Sequence, residues 1–331
     1  MNISGLKMNF AGKDFVRITH YSKKEIEYIL DVAEEFEDTY RKKTQMKLAE
    51  GKILATLFFQ PSTRTQFSFQ TSMHRLGGSV LGFAGTEYTS VMKGENLEDT
   101  IRMFDSYTNI IVIRHPEAGS AEKAAEVAKV PVINGGDGSN RHPTQALLDL
   151  YSIRKFKGKI KDIKFAFWGG IKYSRVAHSL ALGLAMFGAK IYQVYPGNQS
   201  LPDNIIQELK EKYNVSAPPR LQPDEALKQV DIVYMGGAIQ DLTIGGGKAM
   251  VSEEERKKTL EEHNKYFVLS LERFKKLGVK DDLLVMHPLP RHVETLKPDL
   301  DNTKHCGYFE EAGYGIPVRM ALLALLLNVK N

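Results

Sequence analysis

The stretch Phe58–Gly78, FFQPSTRTQFSFQTSMHRLGG, joins an apolar strand to a helix through four polar residues, Ser62-Thr63-Arg64-Thr65. Phe67, Phe69, Met73 and Leu76 set a helical apolar pattern behind them. A strand that runs directly into a helix is the repeating unit of a parallel α/β sheet. Ligands of such sheets sit beyond the carboxyl ends of the strands, where helix starts present free N–H groups. A helix start carries roughly half a positive charge and hydroxyls add donors. Arg64 offers a planar fork that matches phosphate oxygens two at a time. The stretch therefore reads as a phosphate cradle. The blander alternative makes Ser62 a helix cap and Arg64 a solvated first-turn residue.

Outward from this stretch the same alternation continues. Strands are expected at 53–59, 79–83, 109–114, 130–133, 163–168, 190–194, 231–235 and 283–287, with helices between most of them. Two series of about four strands predict an α/β fold of two open parallel-sheet domains. They are expected over residues 1–150 and 151–305, with a hinge near the helix His142–Phe156. Residues 306–331 read as a final helix whose apolar face packs back on the first domain. The polar, glycine-rich stretch Gly236–Lys258 reads as a long loop or insertion.

Composition narrows the function. The 331 residues, 42% hydrophobic and 26% charged, are those of a globular protein. Lys+Arg exceed Asp+Glu by 45 to 40, but the basic residues are scattered, with no basic run interleaved with aromatics. That favours small anionic ligands over nucleic acid. A single cysteine, Cys306, excludes an internal disulfide framework and a cysteine-built metal site, and points to a reducing cytoplasm. The N-terminus lacks a signal-like apolar region, and the most apolar stretches are too short to span a bilayer, so no membrane association is expected.

Three further segments carry groups suited to one ligand. Arg114 and His115 end an apolar strand in VIRHP. His142 and Gln145 stand three residues apart in GDGSNRHPTQ, at a helix start after a glycine-rich loop, where they can share a face. There they could hydrogen-bond a carbonyl oxygen and an amide NH2. In VMHPLPR, His287-Pro288-Leu289-Pro290 ends another strand, and prolines free backbone carbonyls from ladder or helix duty. Each segment also has an ordinary reading: surface arginine, capping cluster, strand-ending turn.

These motifs, with TSVMKGE at 89–95, KYSRVAHSL at 172–180 and YFEEAGYGIPVRMALL at 308–323, resemble the aspartate/ornithine carbamoyltransferase family over nearly the whole chain, on the aspartate side of it. The resemblance implies a domain for carbamoyl phosphate, a domain for the amino-acid acceptor, and a homotrimer whose active sites are shared between subunits. It implies transfer of the carbamoyl group to L-aspartate in pyrimidine biosynthesis, without cofactor or metal. By that resemblance Ser62, Thr63, Arg64 and Thr65 bind the phosphate. Arg114 bridges phosphate and carbonyl oxygen, and His142 with Thr65 polarises the carbonyl. Gln145 and the carbonyls of Pro288 and Leu289 hold the NH2. Ser90 and Lys93 reach a neighbouring subunit's site. Arg175 grips the acceptor's α-carboxylate, Lys93, Gln240 and Leu289 completing the acceptor set.

One segment departs from the pattern. The family's aspartate enzymes carry an arginine and a glutamine after the strand that here reads DIVYM, for the acceptor's second carboxylate; this chain has Gly236-Gly237-Ala238-Ile239-Gln240. Gly170 likewise stands where an acidic residue is usual. Gln240 can replace the glutamine, and either Lys248 or Arg256 folds back to replace the guanidinium or the acceptor is another carboxylate-bearing amine. Ornithine fits less well, because Pro288 occupies the position of the ornithine enzymes' cysteine. A silent phosphate-binding paralogue is the alternative from a different class.

Overall fold

The computed structural model describes residues 8–237, 252, 254, 257–258, 261, 266–293 and 295–330. The chain forms two compact units, Met1–Asp137 with Tyr314–Asn331, and Gly138–Gly313. The first holds α1 (Lys23–Arg41), β1 (Ile53–Phe58), α2 (Thr63–Leu76), β2 (Ser79–Ala84), α3 (Leu97–Tyr107), β3 (Ile110–His115), α4 (Ser120–Val127) and β4 (Val132–Asp137). The second holds α5 (Pro143–Lys157), β5 (Lys164–Gly169), α6 (Arg175–Phe187), β6 (Lys190–Val194), α7 (Asp203–Tyr213), α8 (Pro223–Gln229), β7 (Ile232–Gly237), α9 (Leu271–Leu277) and β8 (Leu284–Met286). The last helix, α10 (Tyr308–Leu326), begins in the second unit and ends in the first. The eight expected strands are all present, and no helix among the described residues is long and apolar enough to cross a membrane.

Each unit carries one four-stranded parallel sheet, ordered β2-β1-β3-β4 in the first and β6-β5-β7-β8 in the second. The order is the same in both. The chain leaves the first strand toward one edge, returns, and continues on the other side. Connections on either side of β1 and β3, and of β5 and β7, therefore diverge and leave a crevice beyond the carboxyl ends. Central strands read as unbroken apolar runs because both faces are covered; all five residues of Leu54–Phe58 are buried, as are all four of Ile110–Ile113. The edge strand β2 is half exposed. Register shifts fall at the carboxyl ends, between Ile113 and His115 and between Trp168 and Gly169, so both crevices open where the ladder is irregular.

Local signals explain the boundaries. Ser22 and Glu25 form a reciprocal capping box at the start of α1. Helix α2 ends on Gly77 at φ 90°, where a Cβ would lie 2.4 Å from the Met46 carbonyl oxygen, so only glycine fits. Along α2, Phe69, Met73 and Leu76 are buried but Phe67 is 56% exposed. It lies about 200° around the helix from Phe69 and so off the apolar stripe. The sole tryptophan, Trp168, is fully buried in the second unit's core and donates to the Phe267 carbonyl at 2.7 Å. The end of α10 packs against the first unit's N-terminal elements: Arg41 Nη2 donates to the Tyr314 hydroxyl at 3.3 Å, Ser72 Oγ to the Ile316 carbonyl at 3.0 Å, and Lys330 pairs with Glu35.

Candidate functional site

In the first unit, β1 and β3 lie side by side with Phe58 opposite Arg114. The helix start that follows β1 and the arginine that ends β3 thus face the same crevice. Ser62 precedes α2 in extended backbone and its side chain makes no capping bond, so it is not the plain cap of the alternative reading, whose other half, a solvated Arg64, stands. Thr63 and Arg64 are exposed, and Thr65 is buried in the first turn. Partial burial lowers the Arg64 pKa from a value so high that the guanidinium stays charged. Arg114 Nη1 donates to the Gly135 carbonyl at 3.1 Å. That carbonyl lies in a braced segment, since Asn134 bonds both Asp137 and the Gly136 N–H. His115 is taken up in packing: its ring lies tilted at 60° against Phe59 with centroids 4.8 Å apart, it accepts the Glu117 N–H, and burial lowers its pKa. Ser90 and Lys93 occupy a short helical turn after the edge strand β2, both exposed, beside Tyr88 and Met92, which are also exposed.

In the second unit, His142 precedes α5 and is buried, its N–H donating to Ser179 Oγ at 2.8 Å and its Nδ1 3.5 Å from the Thr144 hydroxyl. Gln145, also buried, donates from Nε2 to Asp149 Oδ1 at 2.9 Å. The start of α6 braces the loop that carries His142. Arg175 Nη1 donates to the Gly138 carbonyl at 2.7 Å, and His178 reaches the Asn140 and Lys172 carbonyls at 3.3 and 3.0 Å. Burial lowers the His178 pKa. Arg141, next to His142, is buried against Glu208 at 2.6 Å. After β8 the chain turns through His287, whose ring accepts the Leu289 N–H at 2.8 Å; Leu289 sits at φ 54°, a strained region for a branched residue. Pro288 and Leu289 are half-buried.

The structure thus gathers Ser62, Thr63, Arg64, Thr65 and Arg114 at the β1/β3 crevice of the first unit, and places His142, Gln145, Arg175, Pro288 and Leu289 in the second. Gly169 pairs with Gly237, so Gly236-Gly237 is the end of β7 itself rather than the start of the loop. Gln240 and the alternatives Lys248 and Arg256 lie outside the described residues. Asp149, His178, Ser179 and Glu311 were not marked by sequence reasoning. For three of them a signal existed: Asp149 is one helical turn from Gln145, and His178 and Ser179 are three and four residues from Arg175. Among the described residues no group of three or more His, Cys, Asp or Glu is placed to hold a metal ion.

Comparison with known proteins agrees with this layout. Residues 13–155 match the profile of the aspartate/ornithine carbamoyltransferase carbamoyl-P binding domain, and residues 161–326 that of the Asp/Orn binding domain. The aspartate carbamoyltransferase catalytic subunit of Thermococcus kodakarensis is 45% identical over 97% of this chain and 99% of its own. That of Archaeoglobus fulgidus is 42% identical over 94% and 98%. Among solved structures, the catalytic subunit of M. jannaschii aspartate transcarbamoylase superposes with a TM-score of 0.82 at 39% identity, covering 96% of this chain and 98% of that one. The Trypanosoma cruzi enzyme in complex with carbamoyl phosphate and aspartate gives 0.84 at 31% identity, covering 96% and 98%.

Proposed function

This chain belongs to the aspartate/ornithine carbamoyltransferase family, and on that premise we propose how its residues move the carbamoyl group of carbamoyl phosphate to the amine of L-aspartate, giving N-carbamoyl-L-aspartate and phosphate for pyrimidine biosynthesis. The observation that carries the reading is the pairing of Phe58 with Arg114, which sets a hydroxyl-rich helix start and a guanidinium at one strand crevice. Ser62, Thr63, Arg64 and Thr65 bind the phosphate through backbone N–H groups, hydroxyls and a charged fork. Arg114 spans phosphate and carbonyl oxygen. Thr65 and His142 donate to that oxygen as negative charge develops on it. Gln145 Oε1 and the carbonyls of Pro288 and Leu289 accept from the NH2.

The neutral amine of aspartate attacks the carbamoyl carbon, the C–O bond to phosphate breaks, and the amine proton passes to the departing phosphate. No side chain is assigned as general base. Residues 1–150 serve the donor substrate, residues 151–305 the acceptor, apart from Pro288 and Leu289 at the carbamoyl NH2, and residues 306–331 return to the first domain. Arg175 takes the acceptor's α-carboxylate, with Gln240, Leu289 and Lys93 completing its contacts. Because β7 ends in Gly236-Gly237 without a guanidinium, a different carboxylate-bearing amine is the second reading. A ureido assay with carbamoyl phosphate and a panel of amines tests both. Aspartate giving the highest kcat/KM supports the first; another amine exceeding it supports the second; no product from any amine removes the whole reading.

The exposed turn carrying Ser90 and Lys93 supports a homotrimer in which these residues enter a neighbour's site. Mixing Lys93→Ala with Arg64→Ala protein then restores part of the activity, and no recovery after verified subunit exchange counts against sharing. The single cysteine supports a cytoplasmic location.

A further inference from the structure

Two buried carboxyl groups in the second unit have no part in the transfer steps above. Asp149, on α5, is fully buried and accepts Gln145 Nε2 at Oδ1 and the Tyr234 hydroxyl at Oδ2, both at 2.9 Å. Glu311, in the first turn of α10, is equally buried, and one of its oxygens, Oε2, accepts the His287 N–H at 2.9 Å. Its other oxygen, Oε1, is buried without a hydrogen-bond partner, and the Asp149 carboxyl is near enough to act on it. Two ionised carboxylates cannot share a dry interior; one proton between them turns repulsion into a hydrogen bond.

The surroundings decide where that proton sits. The titratable groups facing Glu311 are Asp149 from α5, Tyr234 from β7, His287 from the turn after β8 and Cys306 ahead of α10. Burial first, and then the charge of Asp149, push the Glu311 carboxyl well above the usual carboxylate range. Burial and Asp149 likewise raise the Tyr234 hydroxyl, which stays a donor. Glu311 is therefore the group that keeps a proton, a potential donor toward Asp149, which already accepts from Gln145 and Tyr234. With Nε2 donating to Asp149 and also turned to the Tyr234 hydroxyl, the Gln145 amide has its carbonyl oxygen to offer a substrate.

We propose that Asp149 and Glu311 are positioning residues for the carbamoyl NH2: Asp149 fixes the Gln145 amide, Glu311 fixes the His287–Leu289 turn, and together they hold the acceptors of both in register. This rests on the assignment of Gln145 and the Pro288 and Leu289 carbonyls to that NH2. Inorganic phosphate has no NH2 and is bound by other residues, so it separates positioning from general loss of structure.

The test is the KM for carbamoyl phosphate against pH, with inhibition by inorganic phosphate measured alongside on the full-length enzyme. Because the raised carboxyl keeps its proton below its folded pKa and loses it above, the wild-type KM should climb toward alkaline pH. Glu311→Gln replaces the acid by a neutral group that still donates to Asp149 and accepts from His287; activity should persist and the alkaline climb should vanish. Glu311→Ala should raise the KM about tenfold, the equivalent of one lost hydrogen bond, with phosphate inhibition unchanged. If the alanine variant does not fold, the Glu311→Gln profile decides alone. An alkaline climb in Glu311→Gln equal to wild type, or equal losses of carbamoyl phosphate and phosphate binding in Glu311→Ala, overturns the proposal. An unchanged KM in Gln145→Ala instead overturns the NH2 assignment beneath it.

Discussion

The first unit leaves the groups proposed for the donor substrate largely in solvent, with Thr63, Arg64, Ser90 and Lys93 all exposed and Ser62 bonded to no cap. The second unit buries His142, Gln145 and His287 and commits each to a partner before any ligand arrives. Both units have the same strand order, so the difference lies in what each end must hold. A phosphate dianion can be recruited by solvated charge and open N–H groups. A neutral amide gives little Coulombic pull, and its direction must be set in advance by fixed donors and acceptors.

The largest expected effects fall at the residues proposed to hold the reacting carbonyl. Arg114→Ala and His142→Ala should each lower kcat by about 10²–10³, as for loss of one oxyanion donor. Stopped assays at saturating substrates measure this. A rise in KM alone, with kcat intact, would show that these residues serve binding and not the transition state.

The next prediction concerns a residue remote from the proposed contacts. Glu208 pairs with Arg141, whose side chain is 6% exposed, one residue before His142. Glu208→Ala removes the ion-pair partner of a buried guanidinium and should cost about 3 kcal/mol. Because Trp168 is the only tryptophan and lies in the second unit's core, its fluorescence in urea follows that unit's unfolding directly. A shift in midpoint of the tryptophan transition, accompanied by a lower kcat, is expected; a stable variant with normal kcat would mean that the pair does not hold His142.

How far the sequence carried these conclusions depends on the range of the contact involved. All eight strands were legible because a strand covered on both faces is an apolar run interrupted by turns, as in Ile53–Phe58 and Lys164–Gly169. The PSTRT helix start was legible because hydroxyls and an arginine at that position have a local electrostatic reason. Phe67 was read onto the apolar face of α2 and is exposed, since four apolar residues do not by themselves fix where the stripe is centred. Glu311 was invisible: in YFEE an acidic residue in a first helical turn already has a sufficient local explanation. Its closeness to Asp149, far back in the sequence on α5, exists only once the second unit has closed its core.

Arg64 sharpens the contrast in ligand recruitment. Its exposed fork should contribute a charged hydrogen bond of about 1.5–3 kcal/mol to phosphate, so Arg64→Gln should raise the KM for carbamoyl phosphate by about one to two decades. An exposed cation is also screened by salt. Raising ionic strength should therefore weaken carbamoyl phosphate binding in the wild type and do so less in the variant. An equal salt dependence in both would place the recruiting charge elsewhere.

The smallest effect tests the contrast away from any ligand, at a joint the two units share. In the first unit the residue before β3, Asn109, accepts the Ile53 N–H with its side chain at 2.8 Å and returns its own N–H to the Ile53 carbonyl at 2.9 Å. In the second unit the residue before β7, Asp231, does the same with Lys164, at 2.8 Å in each direction. The first joint is neutral, whereas the second is charged and carries Lys280 at 2.7 Å. Burial would raise the Asp231 carboxyl, but the Lys280 and Lys164 hydrogen bonds outweigh it and leave the pKa below the ordinary value. A lowered folded pKa means stability that is present above the unfolded pKa and lost as pH falls through the folded one. Asp231→Asn copies the first unit's joint into the second. It should cost about 1 kcal/mol at neutral pH, the pair being partly exposed. In urea titrations followed by Trp168, the gap from wild type should close on acidification below the usual aspartate range, because only the wild type has a charge to lose. A gap that stays constant with pH would assign the joint's strength to its geometry and leave the charge without a role.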